Sequence, residues 1–417
     1  MIRFFHAKIL TMKEEALEEG EVWVHENKIV FVGVPKVPLP AFDREIDLKG
    51  NVIMPGFKNA HTHSSMTFLR SFADDLPLQE WLEKQVFPLE AKLTPKDVYE
   101  LAKIAIAEYV TSGITANFDM YFFPEEVAKS SIEFGFRTVF LGTTSNIDAM
   151  VHAYETINHM DPLVSYRFGI HAEYTNTLPF MKEVSALLHK YKEPCFMHSS
   201  ESANEVQGCL QRYGKTPTEL FDDLGLYDYG GGAFHCCYLS EHDYEIFQKR
   251  GLYVVTCPAS NLKLASGIAP IAEMRRRNLP VAIGTDGPAS NNCLDMFREM
   301  FLVTGLQKVK EKDASSTPAY DVLRMATVEG AHAMGLWDAD VLEEGKLADL
   351  IVINLHRPNM QPCNDIIKNI VYSGSKENIY LTMVNGKILY ENGEFYFPEE
   401  METVYRNCTE IMKRLTK

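Results

Sequence analysis

The feature that most restricts this chain is an alternation. Eight apolar, strand-like runs, at residues 52–57, 114–118, 137–141, 167–171, 194–198, 232–236, 252–256 and 281–285, are separated by segments that include helical periodicity, as at 95–111, 179–191, 241–248 and 294–308. Eight βα repeats within about 290 residues match the size of a (β/α)8 TIM barrel, an α/β fold whose chemistry sits where its strands end. A doubly wound open sheet is the competing architecture, but nothing resembles the Gly-rich turn that a dinucleotide site needs. The strand ends carry His61 and His63, then His171, His198, His235 and Asp286. Short strands with turns flank the alternation. Residues 21–25, 28–32 and 44–48 precede it, and 348–353, 379–384 and 387–390 follow, the last two joined by the hairpin dipeptide Asn385-Gly386. The expected organisation is a small β-sandwich domain built from both termini, 1–54 and 346–417, around a barrel at 55–345.

Two histidines at i and i+2 on a strand project from one face, so His61 and His63 can reach the same ion. Drawn from this pair, His198, His235 and Asp286, three imidazoles and a carboxylate suit Zn²⁺ or a similar divalent metal and leave room for water. Glu201, three residues after His198, stays free to move protons. Each motif has a bland reading. Short His-x-His pairs arise by chance, His198 and His235 could be satisfied core residues, and Asp286 could cap a helix. All four coincidences would have to fall on strand ends in order. The joint pattern is that of a metal-dependent hydrolase.

Composition removes other classes. A chain of 417 residues that is 46% hydrophobic can bury a large core, and its net charge of −16 opposes nucleic acid and anionic membrane surfaces. No run approaches the length of a membrane span, and residues 1–12 lack a signal peptide's layout. The eight cysteines show no CxxC spacing, which fits reduced thiols in a cytoplasmic protein and excludes the paired-cysteine zinc deaminases. A homo-oligomer is left open.

The chain resembles the amidohydrolase superfamily, in particular its branch of S-adenosylhomocysteine/5′-methylthioadenosine deaminases and triazine hydrolases. The landmarks are Met54-Pro55-Gly56-Phe57 running into Asn59-Ala60-His61-Thr62-His63, then Asp75-Leu76-Pro77-Leu78-x-x-Trp81-Leu82. They continue with His198-x-x-Glu201, His235, Gly284-Thr285-Asp286-Gly287-x-x-Ser290-Asn291-Asn292 and Glu344-Gly345-Lys346-x-Ala348-Asp349. The resemblance implies that His61, His63, His198 and Asp286 bind one divalent metal ion, Zn²⁺ by first choice and Fe²⁺ by second. A bridging lysine for a second ion is absent at the end of strand four. It further implies that Glu201, His235 and Asp286 are catalytic, moving protons while a metal-activated water attacks C6 of an adenine ring. Trp81, Glu90, His171, Glu201 and Ser290 would bind the substrate, a small-molecule purine nucleoside, with Glu90 accepting both ribose hydroxyls. The products would be the inosine analogue and ammonia.

One departure bears on the substrate. Family members that accept S-adenosylhomocysteine use arginines shortly after the third strand, whereas residues 138–166 contain neither arginine nor lysine. A carboxylate buried there would lack a cation, which favours adenosine, 5′-methylthioadenosine or 5′-deoxyadenosine. The alternative is a triazine or guanine-type aminohydrolase or chlorohydrolase on the same site, and Glu90 argues against it because such substrates have no diol. A scaffold that has lost catalysis would have lost ligands, and every one is present.

Overall fold

The structure, a computed structural model, describes residues 1–72, 74–76 and 78–417. Pro77 of the Leu-Pro-Leu-x-x-Trp stretch lies outside the described residues. Among those described, two parallel four-stranded ladders form the centre. One runs Phe57–Thr62, Ile114–Asp119, Arg137–Leu141 and Val164–Arg167; the other runs Cys195–Ser199, Gly231–His235, Tyr253–Thr256 and Val281–Ile283. A bridge from Gly169 to Phe196 joins them on one side. On the other, the Asp286 N–H donates to the His61 carbonyl at 3.0 Å, and Thr285 N–H donates to Asn59 Oδ1 at 2.8 Å. The eight strands therefore follow one another around a closed barrel, and their nearly continuous burial is what parallel strands require. Gly284 is needed at this seam, since a Cβ there would lie 2.7 Å from the His61 nitrogen.

Two strands differ from the sequence reading. The run at 52–57 is divided: Val52–Pro55 belongs to the terminal sheet, paired with Leu350–Ile353, and the first barrel strand is Phe57–Thr62. The fourth strand is Val164–Arg167 rather than 167–171, so His171 lies on the loop beyond its end. Helix starts follow local chemistry. Thr94 and Asp97 close a capping box at Pro95–Thr111, with proline in the first turn where no N–H is missed.

The terminal segments form the expected β domain from both ends of the chain, one continuously hydrogen-bonded sheet of nine strands among the described residues. It encloses a core of its own that includes Phe4, Val22, Ile29, Val352 and Met383. We propose domain boundaries at 54/55 and 345/346, close to where the chain leaves and re-enters this sheet. The final helix, Met401–Leu415, turns away from it and packs on the barrel helix Pro95–Thr111, where Arg414 reaches the capping carboxylate of Asp97. Sheet and barrel are fastened by a buried ion pair in which Arg137 Nε donates to Asp349 Oδ2 at 2.6 Å and Nη2 to Oδ1 at 3.1 Å. No helix among the described residues is long and apolar enough to cross a membrane.

Candidate active site

The closed barrel gathers the strand-end residues into one place. Ligand atoms of His61, His198, His235 and Asp286 all lie within 4.8 Å of one another, and all four side chains are buried. His63 adjoins them, with Nε2 3.2 Å from Asp286 Oδ1, while His61 Nε2 lies 3.6 Å from the same oxygen. Ring centroids of His61 are 4.9 Å from His63 and 4.7 Å from His198, and Phe234 stacks on His61 at 3.8 Å.

Outer partners orient three of the imidazoles. His63 Nδ1 bonds the Met120 carbonyl, His198 Nδ1 the His171 carbonyl at 2.9 Å, and His235 Nδ1 the Asn261 Oδ1 at 2.7 Å. In each case Nε2 is left to face the centre, the arrangement that metal-binding histidines use. His61 is fully enclosed and neither ring nitrogen has a hydrogen-bond partner. Such a group is costly unless something accepts its lone pair, and a cation does so. Burial first, then the charge of His63, holds the His61 imidazole well below the usual histidine range. Burial and the neighbouring imidazoles do the same for His198, so both present neutral donors. Burial would raise the Asp286 carboxyl, but contact with His63 outweighs it and holds the group well below the usual carboxylate range. Ser260 Oγ and Ser290 Oγ reach Asp286 Oδ2 at 2.5 and 2.8 Å, and the Gly287 N–H donates to Oδ1 at 2.7 Å. Burial would lower the His63 imidazole, but contact with Asp286 outweighs burial and raises it, holding a proton that a bound cation would displace. Neutral His61 and His198 beside an ionised Asp286 are what a divalent metal requires, and these residues fit one.

Glu201 stands beside this centre. Its Oε1 accepts from Ser266 Oγ at 3.0 Å and its Oε2 lies 3.9 Å from His235 Nε2. The strand ends here are unusual in backbone as well. Ser200, His235, Cys236 and Asp286 all adopt positive φ, between 48° and 73°, a conformation that L side chains rarely take.

The substrate-side residues are distributed less evenly. Glu90 Oε1 accepts from Tyr121 Oη at 2.7 Å, and the residue preceding Tyr121, Met120, is the one that holds His63, so Glu90 lies next to the metal centre. Burial raises the Glu90 carboxyl to about 7 against the opposing pull of Tyr121. His171 neighbours His198 with 4.6 Å between ring centroids, and burial lowers its imidazole to about 4. Trp81 is buried within the main core. The resemblance puts Ser290 with the substrate, but its hydroxyl is engaged with Asp286. Arg70, a candidate cation for a substrate carboxylate, is taken up by Glu108 and the Asn292 carbonyl. Sequence reasoning missed Ser260 and Asn261, which follow the seventh strand, and Tyr121, which follows the second. Their signal was polarity just past a strand end, without a metal-type side chain to draw notice.

Known proteins resemble this chain over most of its length. A family model described as the amidohydrolase family matches residues 52–389. The chain is 38% identical over 415 residues to the 5-methylthioadenosine/S-adenosylhomocysteine deaminase of Caldanaerobacter subterraneus subsp. tengcongensis, covering 96% of this chain and 95% of that protein. It is similar in structure to an adenosine deaminase from Xanthomonas campestris with bound zinc, at a TM-score of 0.94 and 31% identity over 100% of this chain and 98% of that one. An atrazine chlorohydrolase from Arthrobacter aurescens TC1 complexed with zinc shares the fold at a TM-score of 0.90 and 20% identity, over 99% of this chain and 100% of that one. With its barrel, its buried imidazole–carboxylate centre and a match over most of its length, the chain belongs to the amidohydrolase family.

Proposed function

We propose that this protein is a metal-dependent hydrolytic deaminase that converts an adenine nucleoside to its inosine analogue and ammonia. The observation that carries the reading is the convergence of buried imidazoles on Asp286, with the Glu201 carboxylate alongside. Two of the relatives named above, deaminases of adenosine and of its 5′ derivatives, support the substrate class. His61, His63, His198 and Asp286 would hold one ion with a position left for water, Zn²⁺ ahead of Fe²⁺, an order that the zinc-bound adenosine deaminase supports. A bound ion of this kind supplies Lewis acidity, bringing the pKa of a water ligand to about 7 so that a nucleophile is available near neutrality.

The chain's own groups do the rest. Asp286 takes a proton from the attacking water, which His235 Nε2 orients by a hydrogen bond. Glu201 gives a proton to ring N1, so that addition at C6 does not leave charge on the purine. As the carbonyl forms, the C6 hydroxyl returns a proton to Glu201, while the proton taken up by Asp286 passes to the departing amine, which leaves as ammonia. Glu90 accepts the ribose hydroxyls, with Trp81 and His171 bounding the nucleoside. Ser290 acts through Asp286.

The lack of a cation at 138–166, and the engagement of Arg70 elsewhere, favour a neutral 5′ group. Ammonia release should be measured for adenosine, 5′-methylthioadenosine, 5′-deoxyadenosine, S-adenosylhomocysteine, guanine and a triazine under one condition. The expected result is turnover of the nucleosides, with kcat/KM for adenosine or 5′-methylthioadenosine at least about tenfold above that for S-adenosylhomocysteine. Preference for guanine or a triazine would overturn the substrate class. Preference for S-adenosylhomocysteine would overturn the argument from charge.

A further inference from the structure

Glu205 takes no part in the chemistry above, yet the turn that presents Glu201 rests on its carboxylate. The fifth strand ends at Ser199, and Ser200 then turns left-handed at φ 55°. Because serine rarely adopts that conformation, something must fasten it. Glu205 sits in the first turn of the helix Ala203–Tyr213, whose cap is Ser202. Its Oε1 accepts the Ser200 N–H at 3.0 Å and its Oε2 accepts the Glu201 N–H at 2.8 Å.

A Ser-x-x-Glu pattern has an ordinary explanation, the capping box, in which the glutamate reaches back to the N–H of the cap itself. Half of that box is present, for Ser202 Oγ accepts the Glu205 N–H at 3.2 Å. The other half is not used in that way. The carboxylate passes over Ser202 and commits both oxygens to the two residues before it. Glu205 is only 7% exposed, and no lysine or arginine among the described residues forms an ion pair with it. Burial, then the charge of Glu201, raises its carboxyl to about 7, and the two backbone N–H groups pull the other way. Helix capping alone does not call for so costly a placement. What the placement secures is the main chain of Glu201, whose side chain accepts a hydrogen bond from Ser266.

We infer that Glu205 is a positioning residue for the proton shuttle: it locks the Ser200–Glu201 backbone so that the Glu201 carboxyl meets the purine ring at a fixed point. The inference rests on the reading of Glu201 as the proton carrier. A small displacement of such a group is enough to lower turnover without weakening binding.

The test is a double-mutant cycle on the full-length, zinc-loaded protein with adenosine as the probe. The parent, Glu201→Gln, Glu205→Gln and the double variant are compared for metal content, Tm, kcat and KM. An amide in place of the Glu205 carboxylate would turn its NH2 group toward one of the two backbone N–H donors. Glu205→Gln should therefore lower kcat about 10–100-fold while metal content and KM stay near the parent's. In the Glu201→Gln background the same change should cost less than about threefold, because the group being aimed is gone. Should Glu205→Gln fail to fold, Glu205→Asp keeps the charge but withdraws it by one methylene, and the same kcat-only loss is expected. Equal losses in both backgrounds, or loss of metal, would show Glu205 to be structural and overturn the inference. A Glu201→Gln protein with parental kcat would overturn the shuttle reading itself, a result seen before Glu205 is altered.

Discussion

Replacing Glu90 by alanine tests whether the nucleoside's sugar is read by a carboxylate. Charge-assisted hydrogen bonds to two ribose hydroxyls are worth about 1.5–3 kcal/mol each. One Glu90 oxygen already accepts from Tyr121 at 2.7 Å, and water can enter the space left by alanine, so the full sum is not expected. A loss of ~2–4 kcal/mol in kcat/KM for adenosine follows, roughly 30- to 1,000-fold, against less than about fivefold for 2′,3′-dideoxyadenosine. The pH dependence gives a second reading of the same contact. Burial holds the Glu90 carboxyl at about 7, above the 4.5 of a free glutamate. Only its ionised form accepts both hydroxyls, so the ratio of kcat/KM for adenosine to that for the dideoxy substrate should fall as pH drops through about 7. Taking the ratio cancels titrations common to both substrates, including that of the proton shuttle. Tyr121→Phe removes the donor that opposes burial, so the midpoint of the ratio should move to higher pH. Stability changes in the other direction: Glu90 favours the fold when protonated, and that advantage is lost as pH rises from about 4.5 to 7. Equal losses on the two substrates, or a ratio that is flat between about pH 5 and 9, would refute the assignment.

His198→Ala should lose the metal and with it all turnover, whereas Glu201→Gln should keep about one ion per chain and lose kcat by a factor on the order of 10²–10⁴. Elemental analysis beside steady-state rates separates the two, and a two-metal stoichiometry would contradict the single centre. Asp349→Asn should destabilise the fold by ~3–5 kcal/mol, since it leaves Arg137 buried without its counter-ion. Burial opposes ionisation of Asp349, but Arg137 prevails and holds its carboxyl below the usual range. The pair's contribution is therefore present above the ordinary aspartate value and lost as pH falls through the lowered one, which thermal unfolding across pH would reveal as an acid limb absent from the variant.

Much of the barrel was legible because its strands are short apolar runs and its ligands are chemically distinctive. The third strand, Arg137–Leu141, lies where the sequence placed it. The first does not, for a physical reason. Residues 52–57 form one unbroken run, and nothing in hydrophobicity marks the passage from terminal sheet to barrel at Gly56. That passage shows only in three dimensions, where a Cβ on Gly56 would lie 2.1 Å from the Thr115 side chain. The histidines, Glu201 and Asp286 could be nominated from spacing and resemblance. The partners that aim them could not, because Asn261, Ser260 and Glu205 are ordinary polar residues whose roles depend on which loops the barrel brings together. Left-handed serine, histidine, cysteine and aspartate at strand ends leave no clear sequence signal either, since it is glycine above all that advertises that conformation.

The sheet shared by the two ends of the chain sets an order on biosynthesis. Ile2–Ile9 finds Glu18–His25 and Val52–Pro55 among residues made close together in time, but Val52–Pro55 has its other neighbour in Leu350–Ile353. That neighbour is made about 300 residues later, a delay of roughly 15–60 s at ribosomal speeds of about 5–20 residues per second. Throughout this interval an all-apolar strand offers an open edge, the kind of template on which nascent chains pair with one another. Conditions that slow elongation or crowd the ribosomes should therefore lower the yield of this protein more than its finished stability would suggest, and a chaperone that shields Val52–Pro55 would have to stay in place while every residue of the candidate site, from His61 to Asp286, is being made.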